Sequence, residues 1–232
     1  MDVAATTIAA GAAEGVVVVA DEQTSGRGRR GREWQSPPGA GLYLSIVFRP
    51  SSDAAGARVA ALLTLAAGVA VRSGIGRATG LWADLKWPND LLVGRRKLAG
   101  ILAEGHGIGT DAQAIVVGVG VNVRHVVLDQ SVSDRATSIE AELGRLVSRG
   151  LVLEELLVAL TEHYDRLRRG DADAILREWR DAAPSAVGAT VLWDSGRGPL
   201  EAITAGLDQD GALLIRTSTA TERVIGGELR WI

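Results

Sequence analysis

Two short motifs constrain the fold of this chain more than any other feature: Lys-Trp-Pro-Asn-Asp at residues 86–90 and Lys-Leu-Ala-Gly-Ile-Leu at 97–102. Each adjoins an apolar run, and Gly94 lies at a turn-like break between them, which predicts a β-hairpin near residues 91–104. Pro88 interrupts any helix there and favours an extended backbone before it. Charged side chains on such a hairpin are costly to bury unpaired, so they face water or a charged ligand. We expect Trp87 to be a core residue.

A second cluster lies upstream, where residues 26–32 read Gly-Arg-Gly-Arg-Arg-Gly-Arg after the apolar run 16–20. Glycine lets backbone N–H groups approach a ligand closely, and guanidinium groups suit phosphate and carboxylate oxygens. The loop therefore predicts an anion-binding site, with a solvated basic loop as the alternative. A dinucleotide-binding fingerprint is excluded because it requires a helix after the loop, and residues 37–41 contain two prolines and two glycines.

The composition limits the class of protein. A length of 232 residues allows one large or two modest domains, and 47% apolar residues suffice for a packed core. The net charge of −3 argues against general affinity for DNA or membranes. The absence of cysteine excludes disulfides and thiol catalysis, and is compatible with a reducing cytoplasm. The apolar stretch 59–71 is too short to cross a bilayer and fits a buried helix.

Hydrophobic periodicity predicts an α+β fold. Leu42, Leu44, Ile46 and Phe48 share one face of a strand by period two. The predicted helices are residues 2–13, 53–71, 151–168 and 172–182. The predicted strands, besides the hairpin, are residues 16–20, 42–48, 81–87 and 114–123.

The C-terminal part of the chain has a different pattern. Residues 184–188 are typical of a linker, and five short alternating runs follow between residues 190 and 231, separated by turn residues. Five strands in so short a segment predict a small barrel that depends on the larger domain for stability. The histidines form no ligand set: His106 lies in a glycine-rich turn, and His125 and His163 are isolated, so no protein-held metal is predicted.

Taken together, these motifs resemble those of the biotin protein ligases. The family has a Gly-Arg-Gly-Arg-x-Gly-Arg-x-Trp loop, then Lys-Trp-Pro-Asn-Asp, then Lys-Leu-Ala-Gly-Ile-Leu, and residues 118–123 match its Gly-x-Gly-x-Asn strand end. The resemblance implies a mixed β-sheet catalytic domain with helices, residues 1–184, and a small barrel of the Src-homology-3 type, residues 185–232. It also implies a cytoplasmic enzyme that forms biotinyl-5′-AMP from biotin and ATP, with Mg²⁺ on the phosphates. The biotinyl group then passes to a lysine of a biotin carboxyl carrier protein, such as that of acetyl-CoA carboxylase.

The resemblance also implies roles for individual residues. Lys97 is implied to stabilise charge at the reacting acyl phosphate, Arg27 to contact the carboxylate or acyl-phosphate oxygens, and Asp90 to be an acid near the reacting centre. The residues implied to bind biotin or the adenylate are Gln23, Arg27, Gly28, Arg29, Trp34, Asn89, Lys97, Gly100 and Asn122.

Three of these residues are implied to bind adenine. Trp34 is expected to cover the base, since stacking of this kind contributes about 1–3 kcal/mol, and its Arg/Pro/Gly-rich surroundings suit a ligand contact better than a core. Asn89 and Asn122 match positions that contact the adenine edge, although Asn122 also fits a turn residue. The polar residues 124–135 are expected to form a mobile loop over the adenylate.

One element of the family pattern is missing. A Ser-Thr-Asn segment usually precedes the first helix, whereas this sequence begins with residues predicted to be helical, and Thr6-Thr7 does not reproduce the segment. We therefore expect a start codon placed too late or a truncation, with about 25 or more residues absent, judged from typical element lengths. No winged helix-turn-helix precedes the catalytic domain in this sequence, so no operator binding is expected.

Other functions remain open from the sequence. A lipoate or octanoate ligase shares the fold, although the arginine loop, the Lys-Trp-Pro-Asn-Asp segment and the terminal barrel favour biotin. A non-catalytic biotin sensor is the alternative of another class, suggested by the missing segment. A nucleic-acid-binding protein using the basic loop is a third, and it predicts strongly salt-dependent DNA binding.

Overall fold

The computed structural model describes residues 1–110, 113–124, 126, 134–194, 198–225 and 228–232. Within these residues the chain forms two antiparallel sheets with helices packed against the larger one. The predicted α+β class is confirmed, whereas the implied mixed sheet is antiparallel at each described strand pair. Its strands run in the order β1-β2-β6-β5-β4-β3. These strands are β1 (Val17–Ala20), β2 (Gly41–Phe48), β3 (Asp84–Lys86), β4 (Asp90–Val93), β5 (Arg96–His106) and β6 (Ala114–Asn122).

The helices are close to their predicted positions. They are α1 (Asp2–Ala9), α2 (Ala54–Thr79), α3 (Ile139–Leu143), α4 (Arg149–Arg168) and α5 (Ala172–Asp181). Helix α1 is shorter than predicted and is followed by Gly11 with φ of 84°. The short helix α3 was not predicted; it begins after Ser138, whose side chain accepts a hydrogen bond from the Ala141 N–H group, as an N-cap residue does.

Strand β2 is buried on both faces, because each face of the large sheet is covered. The predicted apolar face, including Leu42 and Phe48, packs in the main core with α2. On the opposite face, Val47 belongs to a small cluster that Ala4 of α1 covers. The side chains of alternate residues thus meet two different layers, as strand periodicity requires.

Helix α2 is longer than the sequence predicted, because it continues to Thr79 and ends at Gly80 with φ of 81°. A methyl group at Gly74 would lie 2.8 Å from the Leu156 Cα atom, so this glycine permits close packing of α2 against α4. The helix is long and apolar enough to cross a membrane by length and composition, yet 61% of its most apolar window is buried inside the protein. This burial is expected of a core helix.

The C-terminal sheet is joined to the larger sheet by direct packing. Within the predicted linker, residues 184–186 form a 3₁₀ turn in which Ala186 is buried. Val191, Leu213 and Ile215 belong to the same hydrophobic core as α2. The strands run in the order β10-β9-β8-β7-β11, and no pairing of β10 with β11 closes a barrel within the described parts of these strands. These strands are β7 (Val187–Asp194), β8 (Pro199–Leu207), β9 (Leu213–Arg216), β10 (Thr221–Val224) and β11 (Glu228–Trp231).

Candidate active site

The predicted hairpin is confirmed and forms one wall of a cleft. Strands β4 and β5 pair across a turn at Gly94, which has φ of 59°. The side-chain amide of Asn89 donates to the Ile101 carbonyl oxygen at 2.7 Å, and the Ile101 N–H group donates to the Asn89 carbonyl oxygen at 2.9 Å. These two bonds fix the start of β4 against β5. Trp87 is buried, as predicted.

The arginine loop folds back on itself beside this wall. Arg27 and Glu33 form a bridge, and the turn between them contains Arg30 with φ of 58°. The Trp34 N–H group donates to the Gly26 carbonyl oxygen at 2.9 Å, which closes the loop at its base. A methyl group at Gly26 would lie 2.2 Å from the Trp34 carbonyl oxygen, so a larger residue cannot occupy this position without a shift of the loop.

Glycine residues on β5 and β6 form the floor of the cleft. Gly100 and Gly120 are directly paired, and both face away from the α2 core because their neighbours Ile101 and Val119 face it. The indole of Trp34 lies on this floor: a methyl group would be 2.9 Å from its Cζ3 atom at Gly100 and 2.6 Å from its Cε2 atom at Gly120. Glycine inside a strand marks such a close approach.

Trp34 offers two groups to a ligand. Its Nε1 atom is buried and has no hydrogen-bond partner within the described part of the chain, so a ligand acceptor would satisfy it. Its ring lies 5.2 Å from the Lys97 Nζ atom, which is cation–π distance. Trp34, the predicted aromatic contact, and Lys97, the predicted catalytic cation, therefore lie side by side in the cleft.

Lys97 and Asp90 form an ion pair at this point. The Lys97 Nζ atom is 2.6 Å from Asp90 Oδ1, and the side chains are 33% and 25% exposed. The backbone of Lys97 is held by the segment before α3, because its N–H group donates to the Arg135 carbonyl oxygen at 2.7 Å and its carbonyl oxygen accepts from Thr137 at 2.9 Å. A charged pair with a fixed backbone can stabilise a developing negative charge without much rearrangement.

Burial lowers the pKa of two cations at the cleft. The pKa of Lys86 is lowered chiefly by desolvation, although the Asp90 carboxylate opposes this effect. The pKa of Arg29 is lowered by desolvation and then by the positive charge of Arg30. A cation that has lost part of its hydration interacts more strongly with an anionic ligand than a surface cation does.

Arg27 is held by carboxylates at the edge of the cleft. Its guanidinium lies 2.7 Å from Asp2 Oδ1 and 3.2 Å from Glu104 Oε2. These contacts raise the pKa of Arg27, with the hydrogen bond to Asp2 as the largest cause. Gln23 is also fixed, because its Nε2 atom donates to the Ser36 hydroxyl at 2.8 Å.

The cleft has a cavity volume of about 210 Å³ and collects nearly all the predicted site residues. Six basic and two acidic side chains of the described residues line it, so the site is locally positive although the chain carries a net charge of −3. The predicted residues in its lining are Gln23, Arg27, Gly28, Arg29, Trp34, Asn89, Asp90, Lys97 and Gly100.

Asn122 is the predicted residue that does not line this cleft. Its side-chain amide donates to the Thr137 carbonyl oxygen at 3.0 Å and to the Lys97 carbonyl oxygen at 3.4 Å. In this structure Asn122 therefore joins β6 to β5 and to the segment before α3. Most of the predicted mobile loop, residues 125 and 127–133, lies outside the described residues.

Several lining residues were not among the predicted site residues. Arg32 belongs to the arginine loop, and the alternating Gly118 and Gly120 gave a signal within the Gly-x-Gly-x-Asn motif. Leu229 comes from β11 of the C-terminal sheet, and no sequence pattern pointed to it.

The part of the chain that the structure describes contains no group of three His, Cys, Asp or Glu side chains able to hold a metal ion. Two of the three histidines lie within that part. His163 is buried, with Nδ1 at 2.8 Å from the Ala159 carbonyl oxygen and Nε2 at 3.4 Å from Glu178. His106 is the last residue of β5, and His125 lies outside the residues that the structure describes.

Comparison with known proteins identifies the family. The sequence model of the Biotin/lipoate A/B protein ligase family matches residues 9–122. The biotin–[acetyl-CoA-carboxylase] ligase of Paracoccus denitrificans is 35% identical over 217 residues, which cover 91% of this chain and 88% of the relative. The bifunctional ligase/repressor BirA of Bacillus subtilis is 31% identical over 220 residues; the match covers 94% of this chain but 66% of the relative, so the chain spans about two thirds of that protein's length.

A solved structure agrees with these relatives. The biotin protein ligase from Aquifex aeolicus, in complex with biotin and ATP, has a TM-score of 0.80 and 27% identity, and the match covers 95% of this chain and 90% of the other. The sequence relatives and the solved structure agree with the motifs that meet in the cleft. The chain belongs to the biotin/lipoate A/B protein ligase family, and within it to the biotin protein ligases.

Proposed function

We propose that this chain is an ATP-dependent biotin ligase that forms biotinyl-5′-AMP and transfers the biotinyl group to a lysine of a carrier protein. The observation that carries the proposal is the meeting of Trp34, Lys97 and the arginine loop over a glycine floor. Such a site offers the aromatic face of Trp34 for a base and cations for phosphates. The Aquifex relative that binds biotin and ATP supports this assignment.

The first step joins two anions, the biotin carboxylate and the α-phosphate of ATP. A carboxylate oxygen attacks the α-phosphorus, the bond from that phosphorus to the bridging oxygen breaks, and pyrophosphate leaves with the electron pair. Fixed cations are required because repulsion between the anions is strong in a cleft with little water. Lys97, held by Asp90, stabilises the α-phosphate, and Arg29 and Lys86 balance the charge of the departing pyrophosphate.

The second step transfers the biotinyl group. The uncharged amine of the carrier lysine attacks the acyl carbon, the bond from this carbon to the phosphate oxygen breaks, and AMP leaves as the amine loses a proton. We assign Lys97 to the charge that develops on AMP and Arg27 to retention of the intermediate before the carrier arrives. Asp90 is the carboxylate nearest to this point and holds Lys97 in place.

Adenine binding is assigned to Trp34 by stacking, with its Nε1–H group, which has no partner among the described residues, as a donor to the ligand. Asn89 lines the same cleft but uses its amide within the protein, so its contribution is to shape the wall. Mg²⁺ would arrive with the nucleotide and supply charge neutralisation on the phosphates. Asp90 and Glu33 are the carboxylates of the described lining that could approach such an ion.

The carrier protein is the remaining substrate. We propose a biotin carboxyl carrier domain of acetyl-CoA carboxylase or another biotin-dependent carboxylase in the cytoplasm, which follows the name of the Paracoccus relative. We also propose that residues 1–184 form the catalytic domain and residues 185–232 an accessory domain that packs on it. A repressor function, which the name of the Bacillus relative includes, is not proposed for this chain.

Biotin-dependent exchange of pyrophosphate into ATP tests the first step. We expect exchange with biotin and none with lipoate or octanoate at the same concentration. Exchange that occurs with lipoate but not with biotin would show that lipoate is the substrate. Biotin binding without any exchange would support a non-catalytic sensor.

Transfer is tested separately with a carrier domain as acceptor. We expect biotin to appear on the carrier lysine in the presence of ATP, as detected by a mass increase of the carrier. A carrier whose acceptor lysine is replaced by arginine is the matched control. Exchange without transfer to any carrier domain would contradict the proposed second step.

A further inference from the structure

Lys86 lies where the two sheets meet. It is the last residue of β3, and its Nζ atom is 5.4 Å from the ring centroid of Trp231 in β11. Leu229, two residues before Trp231 on the same strand, lines the cleft together with Lys86. Since side chains two apart on a strand share a face, β11 presents its cleft-facing side to this lysine.

Hydrogen bonds on either side of Lys86 hold the end of β3 in place. The indole N–H group of Trp87, the residue after Lys86, donates to the Gly211 carbonyl oxygen at 3.1 Å in a buried setting. The Leu85 N–H group, just before Lys86, donates to the Ala182 carbonyl oxygen at 2.7 Å. The end of β3 is therefore tied to the C-terminal part of the chain on both sides of Lys86.

The Trp231 ring is a direct contact of the Lys86 ammonium group, whereas the Asp90 carboxylate acts on this group only through its charge. Asp90 is opposite Lys86 in the strand register, but its Oδ1 atom is 2.6 Å from Lys97. No carboxylate of the described residues lies within ion-pair distance of the Lys86 ammonium group. Its pKa is lowered mainly by desolvation. An ammonium group over an aromatic face keeps its N–H donors free for an anion in the cleft.

We propose that Trp231 of the C-terminal sheet is a positioning residue that holds Lys86 toward the nucleotide phosphates. The inference rests on the proposed ligase function, and it makes the C-terminal sheet part of the nucleotide site. Trp231 touches neither biotin nor the carrier lysine in this proposal. Its loss should therefore affect ATP and leave biotin binding unchanged.

The test compares Trp231→Leu with Trp231→Phe in ATP–pyrophosphate exchange. We expect Trp231→Leu to raise the KM for ATP by about 5- to 30-fold, the range that one partly desolvated cation–π contact supports, with the KM for biotin within about twofold. Trp231→Phe, which keeps an aromatic face, should restore most of the affinity. In a Lys86→Met background Trp231→Leu should have little further effect. An equal effect in both backgrounds, or an unchanged KM for ATP, would overturn the proposal.

Trp82→Leu is the matched control. It removes an exposed indole from a comparable contact, since the Arg72 guanidinium lies 5.0 Å from the Trp82 ring centroid. We expect unchanged kinetics for this variant. A loss of ATP affinity equal to that of Trp231→Leu would show that the effect is a general loss of packing.

A measurement independent of catalysis separates this proposal from the proposed function. The ring current of Trp231 should shift the ε-methylene proton resonances of Lys86 upfield, and Trp231→Leu should abolish the shift. A missing shift in the unsubstituted protein would overturn the positioning role even if the enzyme is active. A shift in a protein that performs no exchange would overturn the ligase function and the phosphate role of Lys86, while the contact itself would stand.

Discussion

Replacement of Lys97 by methionine is the sharpest test of the proposed chemistry. The lysine forms the 2.6 Å ion pair with Asp90 and lies against Trp34 in the cleft. Loss of one donor that stabilises charge in a transition state typically lowers a rate by about 10²–10³, which corresponds to about 2.7–4 kcal/mol. We expect that loss in the single-turnover rate of biotinyl-5′-AMP formation, measured with saturating biotin and ATP.

The free energy of unfolding of Lys97→Met should change much less than the activation free energy of adenylate formation. The two side chains are 33% and 25% exposed, so solvent screening reduces the contribution of the pair to about 1 kcal/mol or less. For a chain of this size such a loss lowers the unfolding midpoint by about 2–4 °C. A large kinetic defect in a protein that unfolds at nearly the same temperature would separate catalysis from folding.

Arg96 supplies the matched control on the same strand. Its Nη2 atom is 2.7 Å from Glu142 Oε1 and its side chain is about half exposed. It precedes Lys97 in β5, and it is not part of the cleft lining. Arg96→Met should therefore keep the rate of adenylate formation while it removes a comparable ion pair.

The double variant Lys97→Met/Asp90→Asn tests the remaining explanation. Removal of Lys97 alone leaves the Asp90 carboxylate uncompensated, and this charge would repel the nucleotide phosphates. If the rate depends on the lysine cation, the double variant should be as slow as Lys97→Met. Recovery of most of the rate would refute the assignment and show that Lys97 serves only to neutralise Asp90.

Three further outcomes are expected. Gly120→Ala places a methyl group 2.6 Å from the Trp34 ring and should displace the indole. We expect the KM for ATP to rise by about 5- to 100-fold, given the energy of base stacking. An unchanged KM for ATP would contradict the assignment of Trp34 to adenine. Arg27→Ala should release the adenylate about tenfold faster in a gel-filtration retention assay, as expected for loss of one charge-assisted contact; Glu104→Gln, which retains the arginine, is its control. Because the pKa of Lys86 is lowered, its charge and the affinity for ATP should be lost on raising the pH earlier than for an ordinary lysine, and Lys86→Met should lack this alkaline decline.

The cleft was largely predictable because its chemistry is concentrated in short segments. Gly94, Pro88 and the glycines of the arginine loop set the local backbone conformation. These preferences depend on the residue itself and little on the rest of the fold. The hairpin and the pairing of Lys97 with Asp90 follow from that local structure. The spacing of these segments along the chain carried the family resemblance, which the comparisons confirm.

Long-range packing decides several features that local sequence patterns did not predict. Helix α2 continues beyond residue 71 because α4 buries its last turns, and Gly74 is tolerated there as a close-contact residue. Within the predicted linker at residues 184–188, Ala186 is buried because the two sheets share one core, whereas Pro184, Val187 and Gly188 are exposed. Asn122 bonds the Thr137 carbonyl oxygen, a partner 15 residues away along the chain. None of these partners can be read from local periodicity.

The sequence by itself determined which groups are available: the arginines and the tryptophan of the loop, the Lys97 and Asp90 charges, and the glycines of β5 and β6. Tertiary structure alone decided how they are used. Strand register pairs Gly100 with Gly120 and so creates the floor on which Trp34 lies. The fold brings Trp231 of β11 within 5.4 Å of the Lys86 Nζ atom and buries this lysine enough to lower its pKa by desolvation. The reason is physical: residue type sets the charge and shape of a group, whereas its desolvation and its partners depend on segments that meet only when the chain folds.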